Sequence, residues 1–243
     1  YETIRPGTPH RWRADLRVAL ILDELDRTEE ALAALRSLAN DRPDSVESLV
    51  SMGDILRTRE RFKEAIAAYD EAVARIDEME KRHWALLYAR GIALERAKLW
   101  QRAEDDLLRA LELQPGQPYV LNYLGYSWVE QGVNLERARE MIEEAVKLKP
   151  RDGYIIDSLG WVLFRFGEFE RAVRELERAV ELRPHDSTIN DHLGDAYWRT
   201  GRRNEARFQW RRALNLDPTP ELAVSLETKL TEGLDNAGDK PDS

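Results

Sequence analysis

Side chains able to run catalysis or hold a metal are few in this chain, and none is grouped as a reaction would need. Cysteine is absent, which removes thiolate nucleophiles, thiolate metal sites and any disulfide framework. The four histidines, His10, His83, His185 and His192, form no close pair at helical ligand spacing. His192 stands between Asp191 and Asp195, the nearest approach to a metal site. A bound metal needs several convergent ligands, and a polar, solvent-facing helix accounts for all three residues. No Gly-rich phosphate loop, nucleophile elbow or Cys–His pair is present. These features predict a protein that is not an enzyme and carries no metal or cofactor.

The chemistry that the sequence does offer is recognition. Aromatic side chains alternate with polar ones at Tyr88; at Tyr119, Asn122 and Tyr126; at Tyr154, Asp157, Trp161, Phe164 and Arg165; and at Asp191, Asp195 and Trp198. Exposed rings beside hydrogen-bonding groups are what protein-binding hot spots use, so this set predicts a surface for a protein or peptide partner. The competing reading places some of the rings in the core. A second set is cationic: Arg199, Arg202, Arg203, Arg207, Arg211 and Arg212 accompany one acid, Glu205. Such a run either docks an acidic partner or an anionic membrane surface, or is a solvated outer face. Opposing acids such as Glu104, Asp105 and Asp106 also allow self-association head to tail.

Whether these residues share a surface depends on the elements that carry them. Glycines at 53, 91, 125, 160 and 194 are spaced 38, 34, 35 and 34 residues apart, an interval that marks a repeat array. Twelve or thirteen residues after each glycine stands an alanine (Ala65, Ala103, Ala138, Ala172, Ala206), and seven further on a second (Ala72, Ala110, Ala145, Ala179, Ala213). Small residues recur where two helices cross closely. Pro115, Pro150, Pro184 and Pro218 follow and end four of these units, because proline cannot continue the helix before it, while the unit of Gly53 carries Asp77 in that place. An earlier unit fits the frame with Ala19, Ala31, Leu38 and Pro43. Apolar residues at spacings of three and four, such as Ile156, Leu159 and Leu163, predict amphipathic helices, two to a unit. Asp44, Asp152, Asp186 and Thr219 sit where N-caps are needed. The long interval leaves extra residues around 76–80, where a lengthened helix or a loosened turn is expected.

The Leu-Gly pair, the paired alanines and the closing proline resemble the tetratricopeptide-repeat (TPR) family over residues 12–218. The resemblance implies an all-α, right-handed superhelix of about six helix-turn-helix repeats, at 12–45, 46–83, 84–117, 118–152, 153–186 and 187–218. A lead-in covers 1–11, a capping helix 219–235 and a disordered polar tail 236–243. It also implies that the first helix of each repeat lines a concave groove, which would gather Tyr88, Tyr126, Trp161 and Trp198 with Asp157, Asp191 and Asp195, and would favour apolar or basic segments. The stretches at 121–126, 157–165 and 192–199 resemble, more narrowly, the C-terminal half of bacterial outer-membrane TPR lipoproteins. Some of those proteins are periplasmic adaptors that bring substrates to a carboxyl-terminal processing protease. A cytoplasmic assembly scaffold or co-chaperone, and the TPR part of a larger enzyme, are the rival expectations.

The net charge of -9 argues against a general nucleic-acid binder, which gains affinity from excess Lys and Arg. No run of eighteen apolar residues could span a bilayer, and the first residues lack the regions of a signal peptide. The chain opens with Tyr1 and reads as a piece of a longer protein or a processed form, so a targeting signal would lie outside it. A lipobox cysteine in the full-length N-terminus would favour the periplasmic reading.

Overall fold

Every apolar pattern in the sequence has period three to four, and the computed structural model, described for residues 9–234, contains helices and no strand among those residues. Two units are distinguished, 1–115 and 116–243. Residues 1–8 of the lead-in expected at 1–11, residue 235 of the expected capping helix and the tail at 236–243 lie outside the described residues, and 9–11 belong to the first helix.

The first unit holds three antiparallel hairpins: α1 (Pro9–Glu24) with α2 (Thr28–Asp41), α3 (Glu47–Thr58) with α4 (Phe62–Ala74), and α5 (Trp84–Arg96) with α6 (Trp100–Leu113). Its core runs from Ala19 through Leu35, Leu49 and Tyr69 to Leu94 and Ala103. The extra residues of the long interval loosen the turn rather than lengthen a helix: α4 stops at Ala74, and a single 3-10 turn, Lys81–His83, leads into α5. There the Glu80 amide donates to His83 Nδ1 at 2.9 Å. Asp106, expected on an exposed acidic face, is instead buried against Arg90, whose Nε and Nη2 each donate to it at 2.7 Å. Arg90 also reaches Asp70 at 2.9 Å. Burial strips water from this carboxylate, so it is held there with a cation beside it.

The second unit continues with α7 (Pro118–Gln131) and α8 (Leu135–Leu148), α9 (Gly153–Arg165) and α10 (Phe169–Leu182), α11 (Ser187–Arg199) and α12 (Arg203–Leu214), and then α13 (Pro220–Glu232), which packs on α12. Every alanine of the two repeat series, in both units, is fully buried. Asp152 accepts from the amides of Tyr154 and Ile155, Asp186 from Ile189 and Thr219 from Leu222, as N-caps should. Asp44 does not cap: α3 starts later, after Val46, with no side-chain cap. Gln117 caps α7 in its place in the series, accepting from the Tyr119 amide.

Candidate functional site

The first helices of successive hairpins, α7, α9 and α11, lie side by side in the second unit. Residues one repeat apart therefore meet along the seams between them. Asp157 of α9 meets His192 of α11, 35 positions on, with Nδ1 and Oδ1 2.9 Å apart. Trp161 donates from Nε1 to Glu130 at 2.7 Å, and the Arg165 guanidinium is 3.5 Å from the same carboxylate. The Trp161 ring stacks on His192 (4.3 Å) and on Phe164 (5.0 Å), and Phe164 meets Phe169 edge-on at 5.4 Å. Asp191 and Asp195 accept from Lys229 at 2.7 and 2.8 Å, so a side chain of α13 reaches across to α11. Trp198 donates from Nε1 to the Leu234 carbonyl at 3.1 Å.

This geometry corrects the expected acidic groove. Asp157, Asp191 and Asp195 are buried in the seams, each beside a cation or an imidazole. His192, expected on a solvent-facing helix, is buried with them. Burial opposes its charge, but Asp157, with Asp191 and Asp195 behind it, outweighs that and lifts the imidazolium to about 9. Burial, joined by Asp191, pushes Asp195 up despite the ammonium of Lys229. The face thus presents far less free negative charge than a count of its aspartates suggests.

What remains open is a concavity of about 300 Å³ whose lining includes Asn122, Tyr123, Tyr126, Tyr154, Asp157 and His192. Tyr126 is half-buried, and burial, with Glu130 and Asp157 nearby, pushes its hydroxyl upward, so it stays a neutral donor. Asn122 Oδ1 is buried without a hydrogen-bond partner. Tyr154 is 50% exposed and Tyr119 42%, at equivalent repeat positions. A cation at the C-terminal end of the second helix of the same hairpin lies over each ring, Arg183 over Tyr154 at 4.8 Å and Lys149 over Tyr119 at 5.4 Å. Tyr88 lies in the first unit, on α5, its ring 6.2 Å from that of Trp84. The sequence-predicted set is thereby divided: Asn122, Tyr126, Tyr154 and Asp157 share one concavity, Trp161, Arg165, Asp191, Asp195 and Trp198 bond across seams, and Phe164 packs within its own hairpin.

The arginine run is only partly free surface. Arg199 lies over Phe169 at 4.3 Å, Arg202 over Tyr197 at 4.0 Å, and Arg203 and Arg207 over Trp198 at 3.8 and 5.1 Å. Arg202 also meets Glu177 at 3.3 Å and Glu205 at 3.1 Å, and Arg212 donates to the Pro184 carbonyl at 2.9 Å. Arg211 is exposed. Sequence reasoning missed Tyr123, Lys229 and Glu130 and misplaced His192. The repeat period was the available signal, since Asp157 and His192, Glu130 and Arg165, and Asp195 and Lys229 are each separated by 34 or 35 positions.

No group of three or more His, Cys, Asp or Glu among the described residues is placed to hold a metal ion, and no helix among them is long and apolar enough to cross a membrane. A family model described as a tetratricopeptide repeat matches residues 16–80, 50–118 and 158–220. No curated protein matches the chain. Among solved structures, the Cut9–Hcn1 hetero-tetramer of the APC/C is similar at TM-score 0.77 and 17% identity over 93% of this chain, which spans 44% of that one. A tetratricopeptide repeat protein from Parabacteroides merdae gives TM-score 0.72 at 16% identity, covering 90% of this chain and 85% of the other. YrrB, described as a TPR protein with an unusual peptide-binding site, gives 0.56 at 18% identity, covering 80% of this chain and 98% of the other.

Proposed function

The chain belongs to the tetratricopeptide-repeat family, and on that premise we propose that it is a non-catalytic scaffold whose second unit binds a segment of a partner protein on the face of α7, α9 and α11. Proteins of this family generally mediate protein–protein interaction, and YrrB offers a peptide-binding case on the same fold. The observation that carries the reading is the concavity at Asn122, Tyr126 and Tyr154, where the rings and phenol hydroxyls of Tyr126 and Tyr154 line one opening. That lining suits a segment with an apolar or aromatic anchor and backbone amides to donate. With Asp157 engaged by His192, the ligand needs no excess of Lys or Arg.

The specific form of the proposal is a periplasmic, outer-membrane-associated adaptor that binds a carboxyl-terminal processing protease or its substrates. Its support is the resemblance of residues 121–126, 157–165 and 192–199 to bacterial lipoproteins of that kind. A photo-crosslinking residue at position 154 tests the binding face in cells of the source organism. It should yield a discrete protein adduct that the same residue at Arg174, on the exposed side of α10, does not. Equal adducts at both positions, or none at 154, would refute the groove. Recovery of a protease or its substrate in the adduct decides the adaptor role.

A further inference from the structure

The loosened turn of the first unit does more than break the repeat. Where the chain leaves α4 and enters α5 late, it opens a concavity of about 770 Å³ bounded by α1, α3, the 75–83 segment and the start of α5. Its apolar lining comprises Leu16, Val46, Val50, Ile76, Ala85 and Leu86. Around these stand five carboxylates, Asp44, Glu47, Asp77, Glu78 and Glu80, against two guanidinium groups. Both cations are already engaged: Arg75 donates to the Ala39 carbonyl and to Glu71, and Arg82 to Glu80 and His83. Burial works against the charge on Glu47, but a hydrogen bond from Ser45 and the nearby Arg42 and Arg82 keep its carboxyl below the usual range. The 76–80 stretch thus brings one apolar side chain, Ile76, to the lining and three acids, Asp77, Glu78 and Glu80, to its edge.

We propose that this concavity is a second binding site, separate from the tyrosine-lined face of the second unit, and that it takes a partner helix or strand with apolar anchors flanked by Lys or Arg. The size falls within the range of ligand-accepting clefts. An apolar anchor gains about 25 cal/mol for each Å² it removes from water. Cations beside that anchor gain charge-assisted contacts with the exposed carboxylates of Asp77 and Glu78 at the edge, whereas Glu80 and Glu47 already have Arg82 near them. An acidic segment meets the opposite field and is rejected, which makes the site selective as well as adhesive.

The probe is a synthetic amphipathic helix with leucine on one face and lysine on the other, fluorescently labelled and titrated with the whole chain; its counterpart carries glutamate in place of lysine. The lysine peptide should bind, with affinity falling as salt rises, and the glutamate peptide should not. Asp77→Lys with Glu78→Lys, both exposed and therefore tolerable to the fold, should weaken binding about tenfold or more and flatten the salt dependence. Val50→Lys should weaken it by placing a cation at the lining. Asp105→Lys with Glu112→Lys on α6 makes the same change in net charge away from the concavity and should leave binding near the parent value. If the α6 reversal weakens binding as much as the pocket reversal, the peptide is reading total charge and the site is refuted. Equal binding of both peptides, or parent-like binding by the Asp77 and Glu78 variant, refutes it as well.

Discussion

A methyl group on Gly194 would lie 2.4 Å from Cδ1 and Nε1 of Trp210, a ring that is fully buried and donates to Asp195 at 2.9 Å. The indole cannot retreat without losing that bond, so the helix propensity gained by alanine, about 1 kcal/mol, is outweighed by overpacking of about 1–3 kcal/mol. Gly194→Ala should lower the melting temperature, and Gly167→Ala, where nothing approaches within 4 Å but φ is +76°, tests strain without crowding. A second residue-scale test concerns His192, whose pKa of about 9 in the folded chain lies above the ordinary imidazole value of 6.5. A raised pKa means that the stabilising contribution is complete below pH 6.5 and is lost as pH rises towards about 9. At full strength it is worth at most about 3 kcal/mol. The Tm difference between parent and His192→Gln should therefore be larger at the acid end of that window than at the alkaline end. A difference independent of pH would mean that the ring is held neutral.

At the scale of elements, the α5–α6 hairpin depends on a charge pair that its apolar pattern does not announce. Arg90 and Asp106 side chains are 13% and 10% exposed, so removing the acid alone leaves a poorly hydrated cation. Asp106→Ala should cost about 3 kcal/mol in chemical denaturation, and Arg90→Met combined with Asp106→Leu should recover much of it. A loss confined to a few tenths would show that Asp70 suffices for Arg90. The hairpins themselves are legible because small residues mark every crossing, and in the α7–α8, α9–α10 and α11–α12 hairpins a proline after the second helix and a capping side chain before the first repeat the same signal. Position 44 reads as a cap from its place after Pro43, but a cap is local to the residue where the helix starts, and α3 starts after Val46. The seams were harder to read. Position along one helix places Asp157 and Trp161 on a first-helix face but does not tell whether the next helix covers that face, which depends on a residue one full period away.

At the scale of the molecule, the question is which part carries the proposed binding face. Seven helices, α7 to α13, pack among themselves in the second unit, with their own buried apolar set from Val120 to Leu226. Every residue of the tyrosine-lined concavity belongs to that unit. In a repeat array, stability is roughly a sum of intrinsic repeat terms and nearest-neighbour interfaces, so three hairpins and a terminal helix are enough to fold. Gly116–Ser243 produced alone should therefore be helical by far-UV circular dichroism and should melt cooperatively, though below the whole chain because it forfeits repeats. It should retain the position-154 crosslink, since Asn122, Tyr126 and Tyr154 keep their surroundings. Tyr154→Ala in this fragment should leave the melt almost unchanged, because half of that side chain is already in water. Trp161→Ala should lower it by several degrees, because the indole bonds Glu130 and stacks on His192 and Phe164. If Trp161→Ala melts like the parent while Tyr154→Ala collapses, the division of these aromatics into seam and binding face is inverted. If the fragment folds but loses the crosslink, the second unit does not carry the binding face by itself.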